Sequence, residues 1–131
     1  MTGSLLEVVT LDVRDAVAAE EGGADRVEVV ADALADGLTP EAATVAAIAK
    51  ECSLPQMVLL RSGARPGARY TVTPTELEDL KKRARELADA GAAGFVFGFL
   101  TPEGAVDLAA TEELIGAVAP LPWTFHRAVD H

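Results

Sequence analysis

Cysteine is almost absent from this chain: Cys52 is the only one among 131 residues. One thiol excludes an internal disulfide, and a reducing compartment suits it. Basic residues are scarce too, 11 against 21 acidic ones, for a formal net charge of −10. Such an acidic surface argues against nonspecific binding to nucleic acid or to an anionic membrane, and it favours solubility. No apolar run approaches the roughly 20 residues of a membrane span. Met1-Thr2-Gly3-Ser4 lacks the basic start and following apolar run of a signal peptide. The expected location is therefore the cytoplasm. Linkers and low-complexity segments are missing as well, which leaves one domain over residues 1–131. About half of the residues are apolar and a quarter charged, a globular composition in a length that can bury a real core.

Short apolar runs alternate with helical patterns along the whole chain. Leu5–Val9, Arg26–Val30, Met57–Arg61, Gly94–Leu100 and Leu121–His126 read as strands. Between them lie four helices. Asp12–Glu21 ends at Gly22-Gly23. A second helix begins with Thr39 as N-cap and Pro40 at the first helical position. The third opens on Thr73-Pro74-Thr75-Glu76, a capping box, and runs to Gly91 with Leu77, Leu80, Ala84, Leu87 and Ala88 on one face. Asp107 caps a fourth that carries Leu108, Leu114, Ile115 and Val118. The order β-α-β-α-β-α-β-α-β predicts a parallel sheet with right-handed crossovers. A flavodoxin-like open sheet fits the length. A (β/α)₈ barrel fits the order but needs roughly 200 residues or more.

Charged residues recur inside these strands. Glu7 lies in the first, Glu28 in the second, Arg61 at the end of the third and His126 at the end of the fifth, followed by Arg127, Asp130 and His131. Parity in the fourth strand separates Phe95, Phe97 and Phe99 from Gly94, Val96 and Gly98. If the phenylalanines pack under helices, the small residues face a barrel interior, where glycine leaves room for a ligand or backbone. The same alternation puts Leu5 with Glu7, Arg26 with Glu28, and Thr124 with His126, which supports a shared face for the polar residues. Buried charges are costly unless paired, so this set reads either as an ion network that holds strands in register or as a site. In a site, Glu7, Glu28 and His126 exchange protons and arginine clamps an anionic group. Arg26 is the natural partner of its neighbours.

Other features carry less. The Arg65-Pro66-Gly67-Ala68-Arg69 loop lacks P-loop spacing, so nucleotide binding is not expected. His126 and His131 stand five residues apart, without further metal ligands that can be placed. Cys52 leads into the third strand at the rim away from the candidate site and reads as a small, partly buried filler.

Leu6-Glu7-Val8, Gly23-Ala24-Asp25-Arg26-Val27-Glu28, Gly37-Leu38-Thr39-Pro40, Gly94-Phe95-Val96-Phe97-Gly98 and Thr124-Phe125-His126-Arg127-Ala128-Val129-Asp130 together resemble the CutC family of copper homeostasis proteins. The resemblance is collinear from residue 5 to the end. It implies a (β/α)₈ TIM-barrel fold, here cut to about five parallel strands and four helices, because family members are about twice as long. A truncated chain is the expectation, with a half-barrel that forms a homodimer as the alternative. The resemblance also implies a cytoplasmic role in copper handling, with a copper ion as the implied ligand. It maps the family's polar strand-end positions onto Glu7, Glu28, Arg61, His126, Arg127 and Asp130, the last two as substrate contacts. Val29 replaces the cysteine that many relatives carry after the second-strand glutamate, which removes a soft ligand for Cu(I). The competing expectation is an enzyme that uses acid/base chemistry on a small anionic metabolite, or an inactive piece of one.

Overall fold

A computed structural model describes residues 5–31, 38–61 and 71–125. The short apolar runs form strands and the capped amphipathic runs form helices: β1 (Glu7–Thr10), α1 (Val13–Glu21), β2 (Arg26–Val29), α2 (Ala42–Glu51), β3 (Gln56–Leu59), α3 (Pro74–Ala90), β4 (Gly94–Phe97), α4 (Leu108–Val118) and β5 (Trp123–Phe125). The strands are one to three residues shorter than the apolar runs suggest: Leu5-Leu6 and Leu121-Pro122 precede the ladder, and Leu60-Arg61 and Gly98–Leu100 follow it.

All strand pairs are parallel, and the sheet order is β1-β2-β3-β4-β5. Strand order equal to chain order means that the sheet is wound in one direction, as a barrel wall is. A doubly wound flavodoxin-like sheet would reverse direction after its first strand, so the open-sheet alternative does not apply to these strands. The helices pack on one side. There Val27, Val29, Val58, Leu60, Phe95 and Phe97 of the sheet meet Ala16, Val45, Ile48, Leu80, Leu87 and Leu114 of the helices in one buried core. The parity expectation holds: Val96 leaves that core and joins Val30, Met57 and Leu59 in a second cluster. The sheet face bearing this second cluster is the inner face.

Three helix starts follow from their caps. Asp12 accepts from the Asp15 N–H at 2.9 Å. Thr73 and Glu76 form the reciprocal capping box at 3.1 and 2.8 Å, and Asp107 accepts from the Ala110 N–H at 3.1 Å. Gly91 ends α3 at φ +128°, a conformation that side chains disfavour. The start of α2 differs from expectation. Its N-cap is Glu41, which makes no side-chain capping bond, and the Thr39 hydroxyl is engaged elsewhere.

Candidate functional site

Strand register decides which charges meet. Glu7 of β1 lies directly opposite Arg26 of β2, and Val9 lies opposite Glu28. Arg26 Nε donates to Glu7 Oε2 at 2.5 Å, both side chains being about 30% exposed (31% and 27%). The neighbour pairing expected of Arg26 is therefore with Glu7, one strand away. Glu28 stands two residues further along β2, half-buried, on the same face. Burial pushes its carboxyl up from the ordinary 4.5 to about 7. The Glu7 charge and a hydrogen bond with Glu7 add to the rise, while Arg26 opposes it. The three side chains thus form one electrostatic unit: a fixed ion pair beside a carboxyl that holds its proton near neutral pH.

Arg61 stands apart from that unit. Glu28 is in register with Met57, and Arg61 is four residues past Met57, about 13 Å of extended chain. In register, the apolar side chains of Val30, Leu59 and Val96 form the row between them. The sequence pattern puts Glu7 and Glu28 on one face, as the register has them, and together with Arg61 they stand at three heights along the strands. Glu7 and Arg26 begin their strands, Glu28 lies one row up, and Arg61 is at the C-terminal rim. His126, Arg127, Asp130 and His131, like the Arg65–Arg69 loop, lie outside the described residues.

The space expected beside the small residues of β4 is filled at Gly94. A Cβ there would lie 2.8 Å from Met57 Sδ and 2.8 Å from the Pro122 carbonyl. That glycine therefore serves close packing and not a ligand. Cys52 is 6% exposed, and its thiol donates to the Ala16 carbonyl at 3.6 Å. Burial pushes it further from the thiolate form. Among the described residues, no three His, Cys, Asp or Glu side chains gather closely enough to hold a metal ion.

Thr39 is the contributor that sequence reading missed. Its hydroxyl donates to the Arg61 carbonyl at 3.0 Å and accepts from the Arg61 N–H at 2.8 Å. The Thr39 N–H also donates to the Arg61 carbonyl, at 3.2 Å. The signal available in the sequence was the Gly-Leu-Thr-Pro run, whose threonine also has the chemistry of a helix cap.

A parallel sheet wound in one direction, with helices on one side and an inner face carrying charged rows, defines an α/β protein of the TIM-barrel type. Residues 4–131 match the CutC family model, and the chain belongs to that family. Among its relatives, the human copper homeostasis protein cutC homolog is 36% identical over 128 residues, covering 98% of this chain and 46% of the human protein. The Xanthomonas campestris family protein CutC is 38% identical over 125 residues, 95% of this chain and 51% of that one. The chain spans about half the length of these curated relatives. Among solved structures, the putative copper homeostasis protein CutC from Streptococcus agalactiae superposes with a TM-score of 0.85 at 23% identity, over 96% of this chain and 60% of that one. A putative phosphonomutase from Burkholderia cenocepacia gives 0.59 at 20% identity, over 96% and 49%. At these identities the structural matches establish the fold. No helix among the described residues is long and apolar enough to cross a membrane.

Proposed function

We propose that the chain serves copper homeostasis, the role its relatives are named for, that it does so in the cytoplasm, and that its inner face works by proton transfer on a small anionic metabolite. The observation that supports this chemistry is Glu28, half-buried beside the Glu7–Arg26 ion pair with its carboxyl near 7. A general acid or base is most effective when its pKa lies near the working pH. Glu28 takes or gives the proton beside the Glu7–Arg26 ion pair. Arg61 holds the anionic group at the rim, with His126, Arg127 and Asp130 as the further residues that the family resemblance assigns there. The separation of Glu28 from the rim suits a ligand with its anionic end at the rim and its reacting bond deeper, past the apolar row of Val30, Leu59 and Val96. The test is ligand-induced thermal shift across a panel of carboxylates and phosphate esters of increasing length, on the wild type, Glu28→Gln and Arg61→Gln. Shifts that Arg61→Gln abolishes support the reading; an unresponsive wild type counts against it.

A second reading, favoured by the relatives' names, is direct binding of a copper ion. The described residues offer oxygen ligands and a buried thiol, a poor set for Cu(I), which prefers exposed sulfur. Competition with a Cu(I) chelator tests it. Retention of about one equivalent at micromolar protein supports binding, and full transfer to the chelator removes it.

A further inference from the structure

The loop between β2 and α2 is tied to the rim of β3 by hydrogen bonds that converge on one residue. Thr39 is 5% exposed. Its hydroxyl donates to one backbone group of Arg61 and accepts from the other, at 3.0 and 2.8 Å, and its own N–H adds a third bond at 3.2 Å. The same loop is held from α3, where Arg83 Nη2 donates to the carbonyls of Thr39 and Pro40 at 3.3 and 3.4 Å. Arg61 follows β3 (Gln56–Leu59) and lies beyond the last register pair with β2, Val29 with Val58. Without Thr39, that backbone would need another partner or water. A threonine placed only to start a helix would bond the first turn of α2, whereas this one bonds none of it.

We propose that Thr39 is a positioning residue that fixes the height at which Arg61 enters the inner-face rim, so that the guanidinium meets an oxyanion, a carboxylate or phosphate group, in one place. This rests on the anion-binding reading of Arg61 given above. A bidentate guanidinium contact depends on geometry as well as charge, and a group held about 1 Å too loosely loses much of its effect. The bonding is specific to a hydroxyl: serine can reproduce it, valine fills the volume but cannot, and both leave the charge of the site unchanged.

The experiment uses the 131-residue chain labelled with ¹⁵N-arginine, as wild type, Thr39→Ser and Thr39→Val, with the fold of each checked by circular dichroism. Without ligand, the readouts are hydrogen exchange of the Arg61 amide and the position of its Nε–Hε signal. With ligand, inorganic phosphate and acetate are titrated separately, which distinguishes the two kinds of anion. We expect Thr39→Val to exchange the Arg61 amide about tenfold faster, consistent with losing a buried hydrogen bond. It should also move the Nε–Hε signal and weaken the response to whichever anion binds the wild type, while Thr39→Ser stays close to wild type. Unchanged exchange and signal in Thr39→Val overturn the proposal. So does faster exchange with an undiminished anion response, which would make Thr39 a structural staple alone. If the wild type responds to neither anion, the anion-binding reading falls, and the positioning of Arg61 is judged on the ligand-free spectrum and exchange. Should Thr39→Val not fold, Thr39→Ala carries the same comparison.

Discussion

Arg26 Nε and Glu7 Oε2 lie 2.5 Å apart across the β1–β2 ladder, on residues that are direct register partners. Burial raises the Glu28 pKa first, and that pair adjusts it. Glu7 raises the Glu28 pKa and Arg26 lowers it, so the two partners have opposite variants. Glu7→Gln should bring the Glu28 carboxyl down toward 4.5, and Arg26→Met should push it above its wild-type position. Titration of the side-chain carboxyl signals by NMR reads both directions. The pair itself is partly exposed and contributes only about 0.5–1 kcal/mol to stability.

Folding stability should depend on pH through Glu28. Its folded pKa, about 7, lies above the ordinary 4.5. Between those values the folded chain holds more protons than the unfolded one, so stability falls as pH rises through that window and levels off above it. Glu28→Gln mimics the protonated form. It should flatten this part of the profile and stabilise the chain at pH 8 by about 1–2 kcal/mol. Urea unfolding of both proteins from pH 4 to pH 8 checks the sign.

Gly94 tests the packing of the inner face. The Cβ of Gly94→Ala would meet Met57 Sδ and the Pro122 carbonyl, each at 2.8 Å. The expected cost is about 1–3 kcal/mol. A second change, Met57→Ala, should not relieve it, because the Pro122 contact is backbone. Thermal unfolding of the single and double variants measures this.

β1 pairs with β2 alone among the described strands, and Leu5, Val9 and Leu11 in and beside it are 57%, 58% and 44% exposed. An apolar edge of this kind promotes association. Light scattering should show mass rising with protein concentration, and Val9→Lys should reduce that rise without lowering the helix content.

Local chemistry was the most legible part of the sequence. The capping box at Thr73 and Glu76, the Gly91 stop and the Asp107 cap are each decided within a few residues, and all three appear as expected. The alternation of the β4 phenylalanines with small residues also foretold which face the helices cover. Sheet order was not legible, because β-α alternation suits both a barrel wall and a doubly wound sheet. Register was not legible either. Period-2 spacing puts Glu28 and Arg61 on one face, but only the β2–β3 pairing of Glu28 with Met57 shows the row between them. Thr39 was misassigned for a related reason: its hydroxyl serves a residue 22 positions away, and Pro40 beside it imitates a helix start.

The titration of Glu28 in the wild-type chain tests the account most directly. With ¹³C-labelled glutamate and assignment by Glu28→Gln, the side-chain carboxyl signal should titrate with a midpoint near 7. A midpoint near 4.5 would make Glu28 an ordinary ionised carboxylate at neutral pH, and the proton-transfer reading of the inner face would be wrong.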